Sequence, residues 1–317
     1  MTTTHPPRAA FGLTDVGLLL MSTIWGINYS VVKFGMRHLT PLAYNGLRVS
    51  LAAAALWLSW RLLRNVTPPS PAVRRQLFGL GLVGNGLYQL CFIFGLSGTR
   101  VATASLIFAS GPAFVALIGR ARGVERIDRT GWIGIALQLV GVGCVVISAG
   151  ADPSRVDTVR GIALVLLGAI GWAVYTVLLK PLTATTHPVY LSAMTMTSGA
   201  LLLATLAIPD LARLDWAAVP LPVWGAVGYS GLAALVIAYL FWYRGIQHLG
   251  PTRTAMYGNL QPIVAFLVAW VLLGEVPTFW QLAGMVAILV GLAISRRERP
   301  TDKGRVASTA APARAHG

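Results

Sequence analysis

From residue 13 the chain alternates apolar stretches of about twenty residues with short polar breaks. Ten such stretches cover residues 13–34, 42–60, 77–97, 101–119, 131–149, 161–179, 188–208, 221–243, 252–273 and 277–295. A helix needs about 20 predominantly apolar residues to span hydrocarbon, so the pattern predicts ten membrane-spanning helices. Nine further stretches follow the first and no small-residue cleavage site stands out beside it, so it reads as a retained helix and not a signal peptide.

The stretches repeat. At an offset of 147, Trp25 pairs with Trp172, Lys33 with Lys180 and Pro41 with Pro188. At an offset of 150, Gly95 pairs with Gly245, Pro112 with Pro262, Glu125 with Glu275, Gly134 with Gly284 and Gly141 with Gly291. Two five-helix units account for this, over residues 13–149 and 160–296, followed by a disordered basic cytoplasmic tail at 297–317. An odd number of spans per unit makes the second enter the membrane inverted. The expected fold is therefore an all-α integral membrane protein, with ten transmembrane helices as two inverted five-helix repeats. Secondary transporters share this architecture and hold substrate near the midplane between repeats.

Composition agrees: 56% of residues are hydrophobic, 11% are charged, and mean hydropathy is +0.69. The net charge of +15 is explained by topology, without a nucleic-acid partner. The N-terminus, the even-numbered connections and the tail hold 18 of the 25 lysines and arginines. The opposite side has Arg37, Arg100, Arg155, Arg160 and Arg213, while Lys33 and Arg48 fall inside spans. The positive-inside rule then places both termini in the cytoplasm of a multi-pass protein of the inner (plasma) membrane. Cys91 and Cys144 lie inside predicted spans and read as small apolar fillers.

Several segments carry a family resemblance. "IWGINYSVVK" (24–33), "LRVSLAAAAL" (47–56), "SLIFASGPAFVAL" (105–117), "AYLFWYRGIQHLGPTRTAMYGNLQPIVAFLVAWVLLGE" (238–275) and "QLAGMVAILVGLAIS" (281–295) resemble the EamA repeats of the drug/metabolite transporter superfamily. The resemblance implies ten helices, a central cavity between the units and movement of small metabolites, often outward. It also marks a Gly-Glu pair at the end of the fourth and ninth helices, seen as Gly274-Glu275 and, with an inserted valine, as Gly123-Val124-Glu125. The pair Glu125 and Glu275 reads as helix caps, with Glu275 accepting N–H bonds at the start of the tenth helix. A coupling or substrate role is the alternative.

Helical spacing selects the candidate binding residues. Trp25, Asn28, Tyr29 and Lys33 share one face of the first helix, and Trp172, Tyr175, Thr176 and Lys180 repeat that face in the sixth. The lysines fit snorkelling to opposite membrane surfaces; Asn28 and Tyr175 fit both cavity lining and interhelical hydrogen bonding. Asn85, Tyr88, Gln89 and Phe92 share a face of the third helix, and Thr254, Tyr257, Gly258 and Gln261 share one of the ninth. Tyr239, Trp242 and Tyr243 lie near the cytoplasmic end of the eighth helix and fit both an interfacial aromatic belt and cavity lining. Pro112 and Pro262 interrupt the fourth and ninth helices as paired kinks, either hinges or static packing features. Arg48 meets a substrate anion or bonds to carbonyls.

An enzyme reading rests on "GYSG" (228–231), which resembles the GxSG of intramembrane serine proteases, but no histidine lies deep in a span to activate Ser230. No metal-ligand cluster or phosphate loop is legible, so no cofactor is expected. No acidic residue falls at the midplane, whereas small multidrug resistance relatives use a first-helix glutamate for proton exchange. The expected function is a carrier exporting small polar or amphipathic metabolites such as amino acids by alternating access. Its partners are a small-molecule substrate and the lipid bilayer, with a monomer expected and an oligomer left open. The alternatives are an efflux carrier for lipophilic drugs and a non-transporting membrane interaction protein. The charge distribution generates a topological prediction. A single cysteine at position 157 should react with an impermeant thiol reagent on intact cells, and one at position 64 should not; the reverse pattern would invert the topology.

Overall fold

The computed structural model describes residues 12–63, 67–123, 127–150 and 156–296. Glu125, Arg64 and the 297–317 tail lie outside the described residues. Among the described residues the structure is all helical, with no strand. Helix α1 spans Leu13–Gly35, α2 Pro41–Leu62, α3 Pro71–Ser97, α4 Val101–Ala121 and α5 Arg129–Gly150. After them come α6 Val159–Thr183, α7 Pro188–Ala212, α8 Leu221–Leu249, α9 Pro251–Leu273 and α10 Phe279–Arg296. Eight helices among the described residues are long and apolar enough to cross a membrane. Outside that set fall α2, which carries Asn45, Arg48 and Arg61, and the shorter α10.

Local chemistry sets the starts. Proline follows the cap at Thr40-Pro41, Ser70-Pro71 and His187-Pro188, where its missing N–H costs nothing. Thr278 and Gln281 cap α10 reciprocally: each backbone N–H donates to the other's side chain, at 2.9 and 3.2 Å. The α9 helix ends at Gly274 with φ at +70°, a conformation that L side chains rarely adopt.

Among the described residues four helices are interrupted, at matching places in the two halves. The α4 helix breaks at Ser110 and α9 at Gly258–Asn259, each just ahead of the proline at 112 or 262 that withholds a backbone N–H. The α3 helix widens into π-helical turns over Leu82–Leu87, and α8 does so over Tyr229–Ile237. No proline lies in either widened segment.

Packing crosses between the halves. The α1 helix lies against α8 and α9, and α6 lies correspondingly against α3 and α4. Other pairs across the halves are α2 with α7 and α8, α3 with α7, α4 with α9 and α10, and α5 with α10. Polar side chains such as Asn45, Arg48, Gln89 and Ser230 are buried, while Leu267, Trp270 and Val271 on α9 are exposed. This distribution is that of a protein whose surroundings are hydrocarbon.

Backbones also approach closely where α5 meets α10. A Cβ added to Gly141 would sit 2.7 Å from the Gly284 carbonyl oxygen, one on Gly284 2.7 Å from that of Gly141, and one on Gly291 2.6 Å from that of Gly134. Such contacts are the small-residue seams through which helices associate in lipid. Gly141→Leu and Gly291→Leu should each reduce folded yield and destabilise the protein by about 1–3 kcal/mol or more. Gly143→Leu, which meets open space, should be tolerated in the same thermal-stability assay. Equal tolerance at all three positions would contradict the seam.

Candidate binding cavity

Between the two sets of helices lies a cavity of about 60 Å³. Trp25, Asn28 and Tyr29 of α1 line it, as do Arg48 of α2 and Tyr88, Gln89 and Phe92 of α3. From α4 come Phe108, Pro112 and Val115, and from α6 comes Trp172. Tyr239 and Trp242 of α8 and Ala255, Gly258 and Gln261 of α9 complete the wall. No residue of α5, α7 or α10 takes part, consistent with their packing along the flanks.

The wall is an aromatic cage with polar inserts. The Trp172 ring lies 4.9 Å from Tyr88, 5.9 Å from Trp25 and 5.5 Å from Trp242, centroid to centroid. Edge-to-face and tilted contacts at these distances fix the rings against one another. Trp25 is held further by its indole N–H, which donates to the Ala234 carbonyl at 2.9 Å in the widened part of α8. In the same segment Ser230 donates to Asn28 Oδ1 at 2.8 Å, and the Tyr44 hydroxyl lies 2.7 Å from Ser230 Oγ. The serine of the GxSG sequence is thus a buried interhelical bridge. Gln261 makes no side-chain hydrogen bond with the described residues, so its amide is free to meet a guest.

Several expected residues stand elsewhere. Tyr175 is fully buried behind the cavity, its hydroxyl 2.7 Å from that of Tyr243 and 3.3 Å from Thr195 Oγ1. Asn85 is also fully buried, with its backbone against Gly199. Both of its amide atoms lack a hydrogen-bond partner of normal geometry. The reason for its displacement is the π-helical segment. Asn85 lies within it and Tyr88 and Gln89 beyond it, so the wide turns shift the phase that a regular helix would keep. Tyr257 turns away to donate to the Asp15 carboxylate, which also accepts from the Gly12 N–H at 2.9 Å and lies 3.7 Å from Arg253. Pro262 is buried without lining the cavity, unlike Pro112. Tyr239 and Trp242, 2% and 3% exposed, line the cavity, so of their two readings the structure takes the cavity over the interfacial belt.

Glu275 and Lys33 also depart from expectation. Glu275 does cap a helix, but α4 and not α10: its Oε2 accepts from the Val101 N–H at 2.8 Å. Its Oε1 lies 3.0 Å from Lys33 Nζ, and that ammonium donates to the Thr99 carbonyl at 2.6 Å. Beside them Asp157 Oδ1 accepts from the Arg100 N–H at 2.6 Å. Burial pushes the Asp157 carboxyl above its usual range, against the lowering influence of these hydrogen bonds and the neighbouring cations. Two carboxylates from distant connections thus meet the positive end of α4 and tie those connections together at the Lys33 end. At the opposite end Lys180 is exposed, with its Nζ 3.2 Å from the position a Cβ on Gly250 would occupy. Among the described residues no three His, Cys, Asp or Glu side chains gather as metal ligands would.

The model of the EamA-like transporter family matches residues 12–147 and 159–297. A probable amino-acid metabolite efflux pump of Salmonella typhimurium is 28% identical, over 87% of this chain and 92% of that protein. The uncharacterized inner membrane transporter YedA of Escherichia coli K12 is 29% identical, over 87% and 88% respectively. One crystal structure, 19% identical in sequence, superposes with a TM-score of 0.64 over 88% of this chain and 95% of that one.

The ion pair generates a quantitative test. In a double-mutant cycle of Lys33→Met and Glu275→Gln, thermal stability should show a coupling of about 0.5–3 kcal/mol, as expected for side chains in one network. The glutamine retains an acceptor for the Val101 N–H, so the cycle isolates the charge. Additive effects would mean that the pair contributes nothing beyond its separate contacts.

Proposed function

The chain belongs to the EamA-like transporter family, and we propose that it is a secondary carrier exporting small polar or amphipathic metabolites such as amino acids. Its relatives are transporters and its helices are those of a multi-pass membrane protein. The proposed architecture is ten transmembrane helices in two inverted five-helix repeats, over 13–149 and 160–296. The reciprocal packing of α1 on α8 and α9 and of α6 on α3 and α4 supports it, as do the interruptions at matching places. Both termini would face the cytoplasm of the inner membrane, which makes the Lys33 end the outer one.

The observation that carries this reading is a cavity lined from both halves. Ligand pockets generally run to about 300–1,000 Å³, so a space of about 60 Å³ is a contracted state that must widen to admit a metabolite. The breaks at Ser110 and Gly258–Asn259 border that space and supply places where segments of α4 and α9 can tilt. With the Lys33–Glu275 pair closing the outer end, the cavity would load from the cytoplasm. The indoles would cover an apolar part of the substrate, and Asn28, Gln89 and Gln261 would meet its polar part. The Salmonella relative's name as a probable amino-acid metabolite efflux pump favours amino acids over lipophilic drugs.

Proteoliposomes containing the full chain should show saturable flux of at least one member of a radiolabelled amino-acid panel. Gln261→Ala should lower that flux several-fold, as loss of a hydrogen bond worth about 1 kcal/mol implies, and leave thermal stability unchanged. Absence of flux across amino acids, drugs and other metabolites would favour a non-transporting membrane protein. Normal flux in Gln261→Ala would remove that residue from the pathway.

A further inference from the structure

Among the described residues one charged side chain lines the cavity, that of Arg48, and it is 1% exposed. The acids nearest in function are already matched elsewhere: Glu275 with Lys33 at one end of the bundle and Asp15 with Arg253 at the other. Arg48 is instead bracketed by neutral acceptors. Its Nε donates to Asn45 Oδ1 at 2.8 Å and its Nη2 to Gln89 Oε1 at 2.7 Å. The Asn45 amide in turn donates to the Gln89 carbonyl at 3.2 Å, tying the bracket together. The Phe92 ring lies 5.4 Å from the guanidinium carbon. These contacts fix the plane of the guanidinium but supply no negative charge, and its Nη1 has no acceptor among the described residues. A charge withdrawn from water without a counter-ion is costly, and in a membrane such a group marks a ligand path.

We propose that Arg48 is the anchor for a substrate carboxylate, so that the cavity takes small monocarboxylates and zwitterions and rejects their neutral and cationic analogues. Resting on the carrier reading above, this assigns the class of its substrate. A planar guanidinium with free donors matches a carboxylate geometrically. A single cation balances one negative charge, which suits a monocarboxylate better than a phosphate dianion. The apolar part of the guest would then lie among Tyr88, Trp25 and Trp172, and an ammonium would find the face of an indole.

Binding can be read separately from transport, because three tryptophans line the site. Purified full-length protein in detergent should be titrated with 3-phenylpropanoate, 3-phenylpropanamide and 3-phenylpropylamine while tryptophan fluorescence is recorded. The acid should give saturable quenching at least tenfold tighter than the amide or the amine. Arg48→Gln should erase that preference, and Arg48→Lys should keep part of it. Equal binding of acid and amide, binding of none of the three, or an unchanged preference in Arg48→Gln would overturn the proposal. Should Arg48→Gln fail to fold, the wild-type comparison of acid with amide still decides. Saturable flux of the amine alone in proteoliposomes would preserve the carrier and refute its anion site. Binding of the acid without flux of any solute would preserve the anion site and refute the carrier.

Discussion

A polar group inside hydrocarbon has no water as an alternative partner, so a partner within the protein is strongly favoured. That constraint organises the helices. Ser22 returns one contact to the Leu18 carbonyl of its own helix and extends another to the Tyr257 carbonyl of α9. Asn28, Ser230 and Tyr44 form a chain across three helices. Just ahead of and within the widened part of α8, the carbonyls of Ala226 and Ala234 are met by Tyr44 and Trp25 respectively. Each bridge connects the first half of the chain with the second, and together they align the walls of the cavity.

Much of the helical framework was legible because it depends on local apolar length and on residues that break a helix. Pro112 and Pro262 announced two interruptions. Trp25, Asn28, Tyr29, Tyr88, Gln89, Trp172 and Gln261 came together because a regular helix preserves phase over a few turns. Where the spacing left a position undecided or wrong, that assumption fails. Asn85, Tyr239 and Trp242 lie in or beyond π-helical turns, and no proline in the sequence signals those turns. Tyr257 follows a different cause: Asp15, distant in sequence and silent in any periodicity, captures its hydroxyl.

Glu275 illustrates a further limit on sequence reading. Its position just after α9 suggests a cap for the next helix, yet Thr278 and Gln281 already satisfy that start. The carboxylate instead serves a helix 174 residues away. Short spacing can identify a group suited to capping; only the tertiary arrangement selects its recipient.

The recipient matters because the repeat is imperfect there. Val101 supplies the N–H that Glu275 accepts, and its counterpart at the offset of 150 is Pro251, which has none to give. Two otherwise corresponding ends therefore cannot be fastened by the same bond. In a carrier that exchanges between two orientations, such a difference lifts their degeneracy. In such a carrier it would bias which mouth stands open when the protein is idle.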